Sequence, residues 1–146
     1  ESLAVTNVEQ LSAYSTEELA VVLSSVTDEQ RAVYDTVLKA QMEALNVIKS
    51  GIKCWDVDKA ARDVIENAGF GERFGHSLGH SVGLEIHEAP SCSPKSQELL
   101  TSGNIMTVEP GIYIENKFGV RIEDMVLVEH NVCLNLTKSP KELIIL

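Results

Sequence analysis

Residues 74–88, FGHSLGHSVGLEIHE, carry His76, His80 and His87, the acids Glu85 and Glu88, and Gly75, Gly79 and Gly83. Imidazole is the commonest metal ligand, and it exchanges protons near neutral pH. His76 and His80 stand four apart, as in helical zinc motifs. The interspersed glycines disfavour a helix and no glutamate follows His76, so the HExxH reading fails. The glycines instead let the backbone approach a ligand closely. The alternation in GLEIHE predicts a strand with Glu85 and His87 on one face and Leu84 and Ile86 on the other.

Two glutamates sit inside apolar, strand-like runs: Glu109 in MTVEPGIYI and Glu123 in GVRIEDMVLV. Glu109 precedes Pro110, where a kink or bulge is expected. Arg121 and Glu123 are two apart and are expected on one strand face. A carboxylate on an inward face needs a cation, a partner or a proton. Two glutamates and a histidine form a mixed oxygen and nitrogen donor set, suited to Mn²⁺, Co²⁺, Fe²⁺ or Zn²⁺ rather than to a thiolate-preferring ion. Taken singly, each residue has a plainer reading. A histidine among glycines is commonly a hydrogen-bonded turn residue, and Glu123 beside Arg121 an ordinary surface ion pair. Asp124 and Glu129 read as solvated.

The elements that must position these residues fall into two halves. Ser15 with Glu18 and Thr27 with Gln30 read as capping boxes. Behind the second, Val33, Val37, Ala40, Met42, Leu45 and Ile48 form an apolar stripe that predicts a helix over 28–50, with Gly51 as its stop. A shorter helix is expected from about Asp56 or Val57 to Ala68, with Val57, Ala60, Ala61, Val64 and Ile65 on its apolar face and Gly69 behind it. After Gly71 the chain turns β-rich. NIMTVEPGIYI and GVRIEDMVLVEH are separated by ENKFG, a hairpin connection, and NVCLNLT predicts another strand. Helices followed by an antiparallel meander predict an α+β fold.

The 146 residues suit one domain, and 44% hydrophobic with 23% charged residues suits a globular rather than a disordered chain. Its 22 acids against 12 bases give a formal net charge of −10, which speaks against nucleic acid or an anionic membrane as partner. Cys54, Cys92 and Cys133 form no CxxC pair and read as reduced thiols in a cytoplasmic protein. None lies in the histidine cluster, which disfavours a thiol nucleophile. No apolar run is long enough for a bilayer. The opening ESLAVTNVEQ has neither the basic nor the apolar region of a signal peptide.

FGHSLGHSVGLEIHEAP, MTVEPGIYI and GVRIEDMVLV, in that order, resemble the metallopeptidase family that contains methionine aminopeptidase, aminopeptidase P, prolidase and creatinase. They look most like its Xaa-Pro branch, as do DEQRAVYDTVLKAQ, VDKAARDVIENAG and TKSPKELIIL. The resemblance covers residues 27–146 and implies the C-terminal part of a pita-bread catalytic domain, with helices on a curved, mainly antiparallel sheet. Residues 1–26 are then an atypical, helix-like segment. By the resemblance, His80, Glu109 and Glu123 match metal ligands. His76 and His87 match the histidines that flank the substrate, Glu109 also serves as proton shuttle, and Arg121 steadies the ligand carboxylates. Ser81 stands where the family often has glycine.

The intact family site holds two divalent ions (Mn, Co or Zn) through two aspartates, one histidine and two glutamates. The aspartates come from strands of the form DFGA…SDxTRT. This chain has no aspartate before Asp28, and Thr16 and Val5 fall near the expected positions. The resemblance therefore implies a site with at most one metal here, and a hydrolase of short peptides with proline second only when the site is complete. The alternative is a non-catalytic peptide- or protein-binding module on the same fold. A homo-oligomer is left open.

Overall fold

A computed structural model describes residues 26–145. The capping box at Ser15 and the helix-like reading of the first residues lie outside them. Helix α1 spans Asp28–Val47. The side-chain oxygen of Thr27 accepts from the Gln30 amide at 3.1 Å, and the Gln30 side chain accepts from the Thr27 amide at 2.9 Å, so the predicted capping box is formed. Helix α2 spans Cys54–Asn67, two residues longer at its start than expected. Gly69 follows it with φ +85°, a backbone turn that a side chain resists. Gly51, at φ +86°, turns the chain between the helices rather than at the end of α1.

Seven strands follow: β1 Gly79–Ser81, β2 Glu88–Cys92, β3 Ile105–Val108, β4 Gly111–Ile114, β5 Phe118–Arg121, β6 Asp124–Val128 and β7 Cys133–Asn135. They form an antiparallel five-stranded sheet in the order β2-β1-β3-β6-β7 and a two-stranded β4-β5 hairpin. Two apolar runs that read as continuous strands each change sheet midway. MTVEPGIYI leaves the large sheet at Glu109–Pro110, where proline cannot extend a ladder. GVRIEDMVLV returns to it at Ile122–Glu123. Asn116, at φ +58°, turns the hairpin in the expected ENKFG segment.

One face of the large sheet is covered. Met106, Val108, Val126 and Val128 share a buried cluster with Val33, Val37, Ala40 and Ala44 of α1 and Val57, Ala61 and Ile65 of α2. The opposite face carries Ile105, Met125, Leu134 and Leu136, each between 37% and 48% exposed. The expected stripe of α1 needs one change. Met42 is 45% exposed, whereas Gln41 is fully buried. Its Nε2 donates to the carbonyls of Val108 at 3.2 Å and Ile122 at 2.9 Å. These carbonyls flank the two points where the chain changes sheet, so a polar residue in the core ties α1 to both. Asp124 is likewise buried rather than solvated. It accepts from Asn135 Nδ2 at 2.6 Å and pairs with Lys141, which pins the C-terminal segment to β6.

Gln41→Leu should lower stability by about 1–3 kcal/mol, because the buried Val108 carbonyl and the half-buried Ile122 carbonyl lose their donor. Met42→Ala, on the exposed face, should change it by less than about 0.5 kcal/mol. Urea denaturation of the two variants checks the contrast.

Candidate active site

His80 lies on β1, next to β3. Its amide donates to Thr107 Oγ1 at 3.1 Å, and its Nδ1 lies 3.1 Å from the Ser81 carbonyl. A proton on Nδ1 leaves the Nε2 lone pair facing Glu109 Oε1 at 3.3 Å. Two acceptors at that distance call for a proton or a cation between them. Thr107 donates to the same Oε1 at 2.8 Å, and Arg121 Nη1 donates to Oε2 at 3.1 Å. Glu109 is buried in this net, just past the end of β3.

Arg121 is the last residue of β5 and makes two further contacts. Its Nε donates to the Tyr113 hydroxyl at 2.6 Å, and its Nη2 lies 3.2 Å from His76 Nε2. His76 in turn holds the Ser77 carbonyl through Nδ1 at 2.8 Å, and its ring packs edge-on against Phe74 and Tyr113. His87 completes the group, with its ring centroid 4.2 Å from that of His80. Together His76, His80, His87, Glu109 and Arg121 line one cleft of about 500 Å³, whose rim includes Glu88 and Glu98.

Two expectations are corrected. GLEIHE is not a strand. Residues 83–87 form a bent, exposed loop between β1 and β2, with Leu84 fully exposed and Ile86 71% exposed. Neither apolar side chain meets a core, so the alternation has nothing to align it. Glu123 and Arg121 do not share a strand, because β5 ends at Arg121 and the chain changes sheet before β6. Glu123 is exposed and does not line the cleft, and among the described residues it makes no ion pair. Arg121 pairs with Glu109, the other carboxylate it was expected to steady.

The described residues contain no group of three or more histidine, cysteine, aspartate or glutamate side chains close enough to hold a metal ion. His80 and Glu109 supply two converging donors, whereas a catalytic zinc site takes three protein ligands. The cysteines stand apart from the cleft. Cys54 and Cys92 are fully buried, with the hydrogen bond between their thiols pulling the Cys54 pKa down and pushing that of Cys92 up. Burial raises that of Cys133.

A second arginine, not singled out from the sequence, positions the histidine loop. Asp58 and Arg62 lie one turn apart on α2, and the guanidinium grips the carboxylate at 2.8 and 2.9 Å. Arg62 also donates to the carbonyls of Phe74 and His76, both at 2.9 Å, and Asp58 accepts from the Leu78 amide at 3.1 Å. The i, i+4 spacing was visible, but spacing alone cannot tell a surface pair from one that clamps a distant loop.

Residues 12–130 match the model of Metallopeptidase family M24. The chain belongs to this family. It is 45% identical over 124 residues to an Xaa-Pro dipeptidase of Pyrococcus furiosus, a match covering 85% of this chain and 36% of that protein. It is also 45% identical over 122 residues to a putative dipeptidase, YkvY, of Bacillus subtilis, covering 84% of this chain and 34% of that one. Among solved structures, the Xaa-Pro dipeptidase from Bacillus anthracis superposes with a TM-score of 0.82 at 48% identity, covering 84% of this chain and 34% of that one. The prolidase from Pyrococcus furiosus gives 0.78 at 46% identity, covering 80% and 34%. The fold is thus the pita-bread α+β fold. The chain spans about a third of the length of the relatives it matches.

The two arginines should respond differently to truncation. Arg62→Ala leaves Asp58, only 1% exposed, without its cation and should cost about 3 kcal/mol. Arg121 is 42% exposed, so Arg121→Ala should cost about 1 kcal/mol or less. Denaturation midpoints with unchanged slopes measure both.

Proposed function

We propose that this chain is a metallopeptidase module of the Xaa-Pro dipeptidase or aminopeptidase P type, acting on the bond before proline in short peptides once its metal centre is completed. The observation that carries the proposal is the pairing of His80 Nε2 with Glu109 Oε1 in a cleft flanked by His76, His87 and Arg121. Family membership and the Xaa-Pro peptidase relatives support the substrate class. His80 and Glu109 are the proposed ligands already converging on the divalent ion, with manganese among the candidates, and Glu123, outside the cleft here, is proposed to join them only when the centre is completed. The described residues do not by themselves fit a metal, so the missing donors must come from outside them.

The residues already in the cleft have assignable tasks. Glu109 is the group to move a proton from the nucleophile towards the leaving nitrogen. Thr107 and Arg121 hold one oxygen each, which fixes the carboxylate's orientation. His76 and His87 are the proposed hydrogen-bonding partners of the substrate carbonyl and, as the bond breaks, of the scissile nitrogen, an interaction often worth ~3 kcal/mol when it strengthens in the transition state. His76 Nε2 faces Arg121, so a substrate that engages it must share or displace that guanidinium. Proline's tertiary amide has no N–H to offer, so recognition of the scissile bond rests on its carbonyl.

The exposed apolar face of the large sheet supports the view that the chain is one part of a larger site. Residues 27–146 then form the C-terminal part of the catalytic domain, with residues 1–26 an atypical lead-in. A cytoplasmic location is part of the same proposal. Among the described residues, no helix is long and apolar enough to cross a membrane. A second reading, a peptide-binding module without catalysis, is favoured by one observation: among the described residues only two metal donors converge.

Titration with Ala-Pro, followed through the histidine ring resonances, tests the shared part of both readings. His76 and His87 should shift; no shift at either would contradict a peptide-binding cleft. With Mn²⁺ or Co²⁺ and a proline dipeptide, the chain should show no sustained turnover above ~1 s⁻¹, the low end of ordinary enzyme rates. Faster turnover that is lost in His80→Ala would contradict the incompleteness of the site.

A further inference from the structure

We propose that Glu88 is a positioning residue that holds His87 over the cleft. The loop that carries His87 has little else to order it. Residues 83–87 are all exposed, have no regular backbone and bury none of their apolar side chains. Its first anchor is Val82, whose amide donates to the Ile105 carbonyl at 2.9 Å. Beyond that point the loop folds back on itself, with the Gly83 amide donating to the Glu85 carbonyl at 3.1 Å.

Glu88, the first residue of β2, closes this turn. Its Oε1 accepts from the Glu85 amide at 2.9 Å. The carboxylate also lies against Gly83, where a Cβ would come within 2.3 Å of Oε2 and 2.6 Å of Oε1. A side chain at position 83 would meet the carboxylate and push it aside. One side chain bonds the loop at its middle and lies against its start, and the loop's last residue is the His87 whose ring meets His80. Oε1 is spent on the Glu85 amide and Oε2 lies against Gly83, so the carboxylate faces the loop backbone and Glu88 acts as a holder of the histidine.

The inference rests on the reading of His87 as a substrate-facing residue, but its test reads loop geometry and not hydrolysis. The contact between the His80 and His87 rings is followed as a nuclear Overhauser effect, and exchange of the Glu85 amide is measured alongside it. Glu88→Ala should abolish the ring contact and speed Glu85 exchange by about tenfold, the loss of one hydrogen bond. Glu88→Gln keeps an oxygen that can accept and should restore both. Gly83→Ala, on an exposed loop of an otherwise unchanged chain, should displace the carboxylate and lose both signals. Survival of the ring contact in Glu88→Ala or in Gly83→Ala would overturn the proposal, as would Glu88→Gln behaving like Glu88→Ala. If Glu88→Ala does not fold, the other two variants decide alone. Failure of Ala-Pro to bind the wild-type chain would count against the functional reading and leave these outcomes unaffected.

Discussion

The cleft is organised around the carboxylate of Glu109, shared among an imidazole, a hydroxyl and a guanidinium. Its place follows from a break in pairing. β3 belongs to the large sheet, Pro110 cannot extend that ladder, and the chain resumes as β4 in the separate hairpin. Glu109 sits at the break, where its side chain faces His80 and Thr107 on one flank and Arg121, brought by the hairpin, on the other. If β3 ran on as one strand, Arg121 would have no route to the site. Gln41 secures both sheet changes from beneath, by binding the carbonyls of Val108 and Ile122.

Two arginine–carboxylate pairs do different work in this arrangement. Asp58–Arg62 is buried on the carboxylate side and uses its remaining donors to fix the backbone of residues 74–78, so its contribution is to stability and to the course of the histidine loop. Arg121–Glu109 is open to solvent on the arginine side, where screening weakens the attraction. Its contribution is orientation: one guanidinium touches Glu109, His76 and Tyr113 together. The site is therefore held by a rigid clamp behind it and an adaptable one within it, and the adaptable one faces the space a peptide would enter.

Much of this was legible in the sequence where a local rule decides the outcome. The capping box at Thr27, the glycine behind α2, the turn at ENKFG and the break at Glu109–Pro110 each follow from chemistry within a few residues. The misreadings share a cause. Alternation in GLEIHE and in VRIED specifies a strand only if one face has something to bury against. Leu84 and Ile86 have nothing, and Ile122–Glu123 is where the chain passes between sheets. Gln41, Asp58 and Arg62 escaped notice because their importance lies in distant backbone groups, and Glu88 was seen but given no role. Of the expected site residues, His76, His80, His87, Glu109 and Arg121 meet in one cleft, and Glu123 stays outside it.

The central claim is that the described chain contributes two donors, His80 and Glu109, to a metal centre that it cannot close alone. Calorimetric titration of Mn²⁺ into the chain tests this most directly. Binding should be weak and should not saturate through the low millimolar range, with His80→Ala and Glu123→Ala giving similar traces. Tight one-to-one binding, lost in both variants, would contradict the account, because it would require Glu123 to join His80 and Glu109 around a single ion.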